Sequence, residues 1–349
     1  MKSYSRLIGF TTILTLLLIM LGAFVRLTDA GLGCPDWPGC YGKLTPFHAA
    51  TEIDAAVEQQ GGAHGSVSHP KAWKEMIHRY IATFLGLLII AIAVMAYKYK
   101  NQLRQSPWLP ILLVGLVCLQ GAFGAWTVTL LLKPAIVTGH LLGGMLILGM
   151  LTWLWLRQSP AIRTVSPSVK NKNLLYFARV GLIVLVIQIA LGGWVSTNYA
   201  AVVCTDFPMC QGQFWPDMHF EHAFHLIREL GETPEGDLLT IQNLTAIHVT
   251  HRIGALLLAV ILGGLIAVLW ARPGFQVLAY SLAFLLLLQL AMGIGNVVFQ
   301  LPLWLAVAHN GGAALLVMML VVINYQVAQA SRDDRTFSGQ VSLNSHPIY

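Results

Sequence analysis

Charge is what this chain lacks most. Only 10% of its 349 residues are Asp, Glu, Lys or Arg, whereas 56% are hydrophobic, and a soluble domain of this size would carry far more charge on its surface. Water is therefore not the main solvent, which excludes a soluble globular enzyme or binding module. Acids are scarcer than bases, 15 against 21, leaving a net charge of +6. That excess does not call for nucleic acid. No basic, aromatic-interleaved patch stands out, and Lys and Arg facing anionic lipid account for the charge.

What is plentiful is apolar sequence. Crossing a hydrocarbon core of roughly 30 Å takes about 20 residues in a helix. Runs of that kind lie near 8–25, 80–97, 108–132, 135–156, 175–195, 253–271, 275–299 and 303–327. They predict an all-α integral membrane protein with eight transmembrane helices. The first run, behind Lys2 and Arg6, is too long for a signal peptide and is followed by no small-x-small cleavage site, so it is kept as a span.

With the N-terminus in the cytoplasm, the inner segments hold 13 of the 21 basic residues, and the outer segments hold 13 of the 15 acids. This asymmetry predicts that both termini are cytoplasmic. Cys34, Cys40, Cys204 and Cys210 then fall in outer loops, in an oxidising compartment. Cys118 lies within the third span and is expected to be an inert packing residue.

The chain repeats itself. At an offset of 170, Gly22, Val25, Ala30, Cys34, Asp36, Pro38 and Cys40 meet Gly192, Val195, Ala200, Cys204, Asp206, Pro208 and Cys210. At 169, Gln120-x-x-x-Gly124 and His140 meet Gln289-x-x-x-Gly293 and His309; at 173, His78-Arg79 meets His251-Arg252. Four helices thus recur in the same orientation, because an even number of crossings separates the copies. The expected architecture is two four-helix bundles related by a pseudo-twofold axis along the membrane normal. Residues 1–156 form the first bundle with its outer loop, 157–174 a basic cytoplasmic connector, 175–330 the second bundle with its outer loop, and 331–349 a cytoplasmic tail.

Of the 12 histidines, His78, His140, His251 and His309 are the ones that the repeat places equivalently, each at the outer end of an even-numbered span. A single helix-end histidine is an ordinary interfacial hydrogen-bonder, but two matched pairs suit axial ligation of iron in haem. Zinc fits less well, because no matched Cys or carboxylate ligand set accompanies the pairs. Gly143 and Gly312, one turn beyond His140 and His309, would leave room for a flat macrocycle, or serve helix packing. Arg79 and Arg252 are candidates for holding haem propionates, with snorkelling to lipid phosphate as the other reading.

The copies also disagree. Glu75 precedes His78 by one turn, and its equivalent before His251 is His248. Only the first copy has the carboxylate, a candidate to take a proton or stabilise cationic character during oxidation of a haem substituent; a surface ion pair with Lys74 or Arg79 is the plainer reading. His248 shares a helix face with His251, but the matched Arg favours His251 as ligand. Each C-x5-C pair can close a disulfide that braces its loop, Cys34–Cys40 and Cys204–Cys210, with thiol chemistry at the first as the sharper reading. His219, His222 and His225, beside Glu221, read as one face of an interfacial helix or a metal site. His48, His64 and His69 are given no role.

The stretch Gly-Ala-Phe-Val-Arg-Leu-Thr-Asp-Ala-Gly-Leu-Gly-Cys-Pro-Asp-Trp-Pro from Gly22, Glu-Met-Ile-His-Arg from Glu75, Gly-His at 139–140, His-x-x-His-Arg from His248 and Ala-His-Asn-Gly-Gly from Ala308 resemble the haem A synthase family over residues 8 to about 327. The resemblance implies an enzyme that oxidises the C8 methyl of haem O to the formyl group of haem A, by successive hydroxylations and loss of water, for cytochrome oxidase. It implies His78 and His140 as ligands of the substrate haem O, His251 and His309 as ligands of a haem B cofactor, and Glu75 as the catalytic acid. Haem O synthase is the expected supplier of substrate, membrane lipid the surroundings, and a homo-oligomer is allowed; no electron acceptor is indicated. Both cysteine pairs are present here, although parts of the family lack them. No long Arg- and Ser-rich leader precedes the first span, which favours a bacterial inner membrane, with the haem sites near the periplasmic face. A di-haem b-type electron carrier and a non-catalytic haem transporter are the rivals. The first would stack haems at different depths, and the second has no use for Glu75.

Overall fold

In the computed structural model, residues 2–62, 64–103, 106–158 and 172–343 are described. They form nine α-helices: α1 Lys2–Leu27, α2 Ala50–Gln59, α3 His69–Lys98, α4 Trp108–Thr129, α5 Pro134–Gln158, α6 Lys172–Thr197, α7 Ile241–Trp270, α8 Gln276–Val298 and α9 Leu303–Leu343. No strand is present among the described residues, only isolated bridges such as Cys40 with Lys43 and Cys210 with Gln213. All but α2 contain a stretch long and apolar enough to span a membrane, so there are eight candidate spans, as the apolar runs predict. Helix is the form that apolar surroundings demand, because it satisfies backbone N–H and C=O groups within one segment. Even the hydroxyls of Thr11, Thr12 and Thr15 turn back onto carbonyls four residues earlier, at 2.7–2.8 Å. Most of the connector, 159–171, and the last tail residues, 344–349, lie outside the described residues.

Two helices begin well before their apolar runs. α3 starts behind Ser68, whose side chain accepts from the Lys71 amide, with Pro70 in the first turn. α7 starts behind a capping box in which the Thr240 hydroxyl receives the Asn243 N–H and the Asn243 side chain receives the Thr240 N–H. These polar turns lift Glu75, His78, His248 and His251 off the loops and onto rigid helix.

Within the first four spans, α1 packs on α3 and α5, and α4 on α3 and α5; within the second four, α6 packs on α7 and α9, and α8 on α7 and α9. Between the sets, α1 meets α9, α5 meets α6, and α5 meets α9. This list maps onto itself when each helix is exchanged with its repeat. The two largest clusters of buried apolar side chains lie around Tyr4, Ile8, Ile89 and Leu151 and around Leu148, Leu262, Leu282 and Leu320. α9 is the most enclosed span and α4 the least. Cys118 on α4 is correspondingly exposed instead of packed, because α4 turns most of its surface outward.

Backbone turns recur with the sequence. Leu131 and Leu132, between α4 and α5, have φ of 49° and 60°; their counterparts Gln300 and Leu301, between α8 and α9, have 56° and 61°. Leu132 and Leu301 close these turns on the carbonyls of Thr127 and Asn296 at 2.8 and 2.7 Å. Tyr41–Gly42 and Gln211–Gly212 repeat a second left-handed pair just after each disulfide loop.

Candidate functional site

α3, α5, α7 and α9 all start from the same end of the molecule, and each carries its histidine within its first three to four turns. Every ring rests against a glycine on a neighbouring helix: His78 on Gly22, His140 on Gly124, His251 on Gly192 and His309 on Gly293. A β-carbon on any of these glycines would lie 3.0–3.4 Å from the ring Cε1 atom. Alanine there would press on the imidazole, so the repeated glycines set the ring positions. His78 and His140 are close enough to interact electrostatically, and so are His251 and His309. Two pairs are thereby assembled, one in each set of four helices.

The repeated glutamines hold the second member of each pair. Gln120 Nε2 donates to the His140 carbonyl at 2.6 Å, and Gln289 Nε2 to the His309 carbonyl at 3.0 Å. Their amides fill the space beside Gly143 and Gly312. The clearance expected there for a macrocycle is therefore taken by glutamine, and these glycines serve packing between α4 and α5 and between α8 and α9. Among the described residues, the buried Nδ1 atoms of His78, His140 and His309 have no hydrogen-bond partner. Buried unpartnered nitrogens on rings seated in glycine notches are compatible with a bound group, while His251 Nδ1 faces Gln188 at 3.0 Å and His309 Nε2 faces Gln289 at 3.5 Å. Among the described residues no three His, Cys, Asp or Glu side chains cluster as a metal-ion site.

Above each pair sits a disulfide loop, Cys34–Cys40 and Cys204–Cys210, both bonded. Asp36 accepts from the amides of Tyr41 and Gly42 at 2.6 and 2.7 Å, and Asp206 from Gln211 and Gly212 at 2.7 and 2.9 Å. The Gly212 amide is the largest of the causes that hold the Asp206 carboxyl below the usual range. Arg79 and Arg252 reach up from their helices to clamp these loops. Arg79 donates to the carbonyls of Asp36 and Gly39 at 2.8 and 2.5 Å; Arg252 donates to those of Met209 and Asp206 at 2.8 and 3.1 Å. A guanidinium fork suits two carbonyls at once, and each such charge-assisted bond contributes about 1.5–3 kcal/mol.

The copies part at Glu75. It is 4% exposed, so it is not a surface ion pair. One carboxylate oxygen receives Arg79 Nη2 at 2.5 Å, and the other receives the Cys34 amide at 2.9 Å. Gly33 makes that reach feasible: a β-carbon there would lie 2.6 Å from the Ala72 amide nitrogen of α3. The matching residue in the second copy is Val203, and among the described residues no carboxylate from α7 meets that loop. His248, at the place of Glu75, instead gives Nδ1 to the Ala200 carbonyl at 2.8 Å. It is thus anchored to the 3-10 turn after α6, whereas the His251 ring rests on Gly192.

The second outer loop corrects one expectation. Residues 219–225 are turn and irregular chain, not an interfacial helix. Their backbone groups are bonded elsewhere: the His219 carbonyl receives Asn243 Nδ2 at 2.9 Å and the Ala223 carbonyl receives Trp194 Nε1 at 2.9 Å. His222 points to Glu235 at 3.7 Å, and no metal cluster forms among the described residues. Gln120 and Gln289 were visible in the repeat without a role. Gln188, which contacts His251, has no counterpart, and only its polarity within an apolar span marks it.

Eight helices long and apolar enough to cross a membrane, with two histidine pairs set in glycine notches, define a polytopic membrane protein of the paired-histidine type. The chain belongs to the COX15-CtaA family, cytochrome oxidase assembly protein, whose model matches residues 5–321. It is 43% identical over 319 residues to a protein of Shewanella oneidensis named Heme A synthase, covering 91% of this chain and 95% of that one. Proteins of the same name from Hyphomonas neptunium, 29% identical with 84% of each chain covered, and from Shouchella clausii, 25% identical with 95% and 98% covered, are similar along the same length.

Proposed function

We propose that the chain is a haem A synthase of a bacterial inner membrane, an oxidoreductase acting on a CH or CH2 group that converts the C8 methyl of haem O to the formyl of haem A. Glu75 carries this reading beyond haem binding. It is a buried carboxylate one turn from His78, present in one copy only, and a carrier or transporter of haem has no use for it. His78 and His140 hold the substrate haem O. His251 and His309 hold haem B, which would supply one-electron chemistry when bound. Arg252 retains one buried N–H, at Nε, with no partner among the described residues, and this is the donor left for a haem B propionate. Arg79 acts on the substrate side by fixing Glu75 and the loop together.

The two bundles are arranged about a pseudo-twofold axis. Arg26 donates to the carbonyl of Ser196 at 2.8 Å and Tyr199 to the carboxylate of Asp29 at 2.8 Å. Each of these residues is the other's counterpart at an offset of 170, and such self-pairing is what neighbours of a twofold axis do. Cytoplasmic termini would then put both histidine pairs near the periplasmic face.

The test is to extract and identify haem from purified protein expressed with and without haem O synthase. Hydroxylated haem or haem A alongside haem B is the expected result. Haem B alone, with haem O supplied, would overturn the enzyme reading.

A further inference from the structure

We propose that Gln188 is a positioning residue that fixes the His251 ring, making the second site one that retains its haem while the first lets its haem exchange. This rests on the reading that His251 and His309 hold haem. Gln188 is a buried amide inside the apolar span α6. Its Nε2 lies 3.0 Å from His251 Nδ1 and 3.0 Å from the His251 carbonyl oxygen. Polar groups at this depth of a membrane helix are costly unless they serve a partner. Of the four paired histidines, only His251 has a side-chain partner at Nδ1; the Nδ1 atoms of the other three are buried without one among the described residues.

The amide can serve the ring in either tautomer. Nε2 donates to a bare Nδ1 and to the His251 carbonyl, whereas a half-turn sets Oε1, buried and without a partner among the described residues, to accept from a protonated Nδ1 and gives up the bond to that carbonyl. The second arrangement is the one that leaves Nε2 of the imidazole for iron, and an acceptor on Nδ1 both orients the ring and raises its basicity.

Room for this amide is built into the helix that carries His251. A β-carbon on Gly254 would collide with the Gln188 side chain. In the first copy both places are apolar: Leu18 stands for Gln188 and Ile81 for Gly254, and both belong to the apolar cluster beside His78. The difference is thus a matched pair of residues, Gln with Gly against Leu with Ile, and not an isolated change.

The experiment uses the full chain purified from membranes with its haem, as wild type, Q188L, Q188E, G254A and H251A. It reads the rate of haem B loss to excess apomyoglobin, and the midpoint potential and spectrum of the haem retained. Q188L installs the residue of the first copy and should release haem about ten- to a hundredfold faster, with the midpoint shifted upward because the ligand is less basic. Q188E restores an acceptor and should recover retention with a downward shift. G254A leaves Gln188 and His251 in place but displaces the amide, and should follow Q188L in sign with a smaller size. Since alanine favours helix over glycine, general unfolding would not account for that result. Wild-type release rate and midpoint in both Q188L and G254A, with haem lost in H251A, would overturn the role of Gln188 alone. Full haem retention in H251A would overturn the site reading and this proposal with it.

Discussion

The two halves of this chain share a backbone plan and differ in a handful of polar contacts. Each half places a histidine pair in glycine notches, clamps a disulfide loop with the arginine that follows the first histidine, and closes that loop on an aspartate. In the first half the loop is also tied to α3 by Glu75, and the histidine on α3 stands without a partner at Nδ1. In the second half no such carboxylate from α7 ties the loop among the described residues, while the equivalent histidine is held by Gln188. A duplicated scaffold has therefore been differentiated by moving polar groups: an acid beside one site, an amide beneath the other. The repeat accounts for the paired histidines, and the departures from it set the two pairs apart.

The strongest way to break this contrast is at Glu75. Replacement by Gln keeps an oxygen for the Cys34 amide but removes the charge, and product in extracted haem should fall by about a hundredfold or more, the scale of a lost general acid or base. Glu75→Ala should lose as much product and, in addition, about 3–5 kcal/mol of stability, because Arg79 is left buried without its carboxylate. Thermal melts of the two variants separate the effects. Wild-type product from the Gln variant would end the catalytic role.

A smaller effect should separate the two disulfides. Because the Cys34 amide is bonded to Glu75, replacing Cys34 and Cys40 by Ser should loosen the carboxylate and reduce product about tenfold, short of the ~10²-fold that a 1 Å misplacement can cost. Replacing Cys204 and Cys210 should leave product nearly unchanged and lower stability by less than the ~3 kcal/mol associated with a 15-residue loop. Equal losses of product from the two double variants would mean that the loops do the same work and that the comparison is wrong.

Much of this was legible before any coordinates. Span number followed from apolar length, and the equivalence of the four histidines followed from the offsets, since both depend on patterns that hydrophobicity and repetition leave in sequence. Four features were not legible. The starts of α3 and α7 depend on the caps at Ser68 and Thr240, which lie in polar sequence that reads as loop. The partners of Arg79 and Arg252 are backbone carbonyls, which carry no side-chain signature. The chain at 219–225 has histidines at helical spacing, but hydrogen bonds from Asn243 and Trp194 claim its carbonyls and tertiary contacts override the period. Gln188 escaped for the opposite reason: a repeat draws the eye to what matches, and this residue has no match.

The smallest expected effect tests whether the second loop stands without a carboxylate tie. The Asp206 carboxyl is held below its ordinary range, first by the Gly212 amide and then, among other causes, by the Gln211 amide and the Arg252 charge. A carboxyl whose folded pKa is depressed stabilises the fold above its unfolded pKa, and that contribution is lost as pH falls through the folded value. The loop should therefore stay closed from neutral pH down through the ordinary aspartate pKa of about 3.9, and open only below it. Hydrogen exchange at the Gln211 and Gly212 amides, followed against pH after correction for intrinsic rates, reads this directly. Asp206→Asn keeps one acceptor but cannot titrate, so its protection should be weaker and independent of acid. If the wild-type loop opens well above pH 4, the amide bonds to Asp206 are not what closes it. Arg252 on the loop carbonyls and the Cys204–Cys210 disulfide would then brace the second loop without the aspartate.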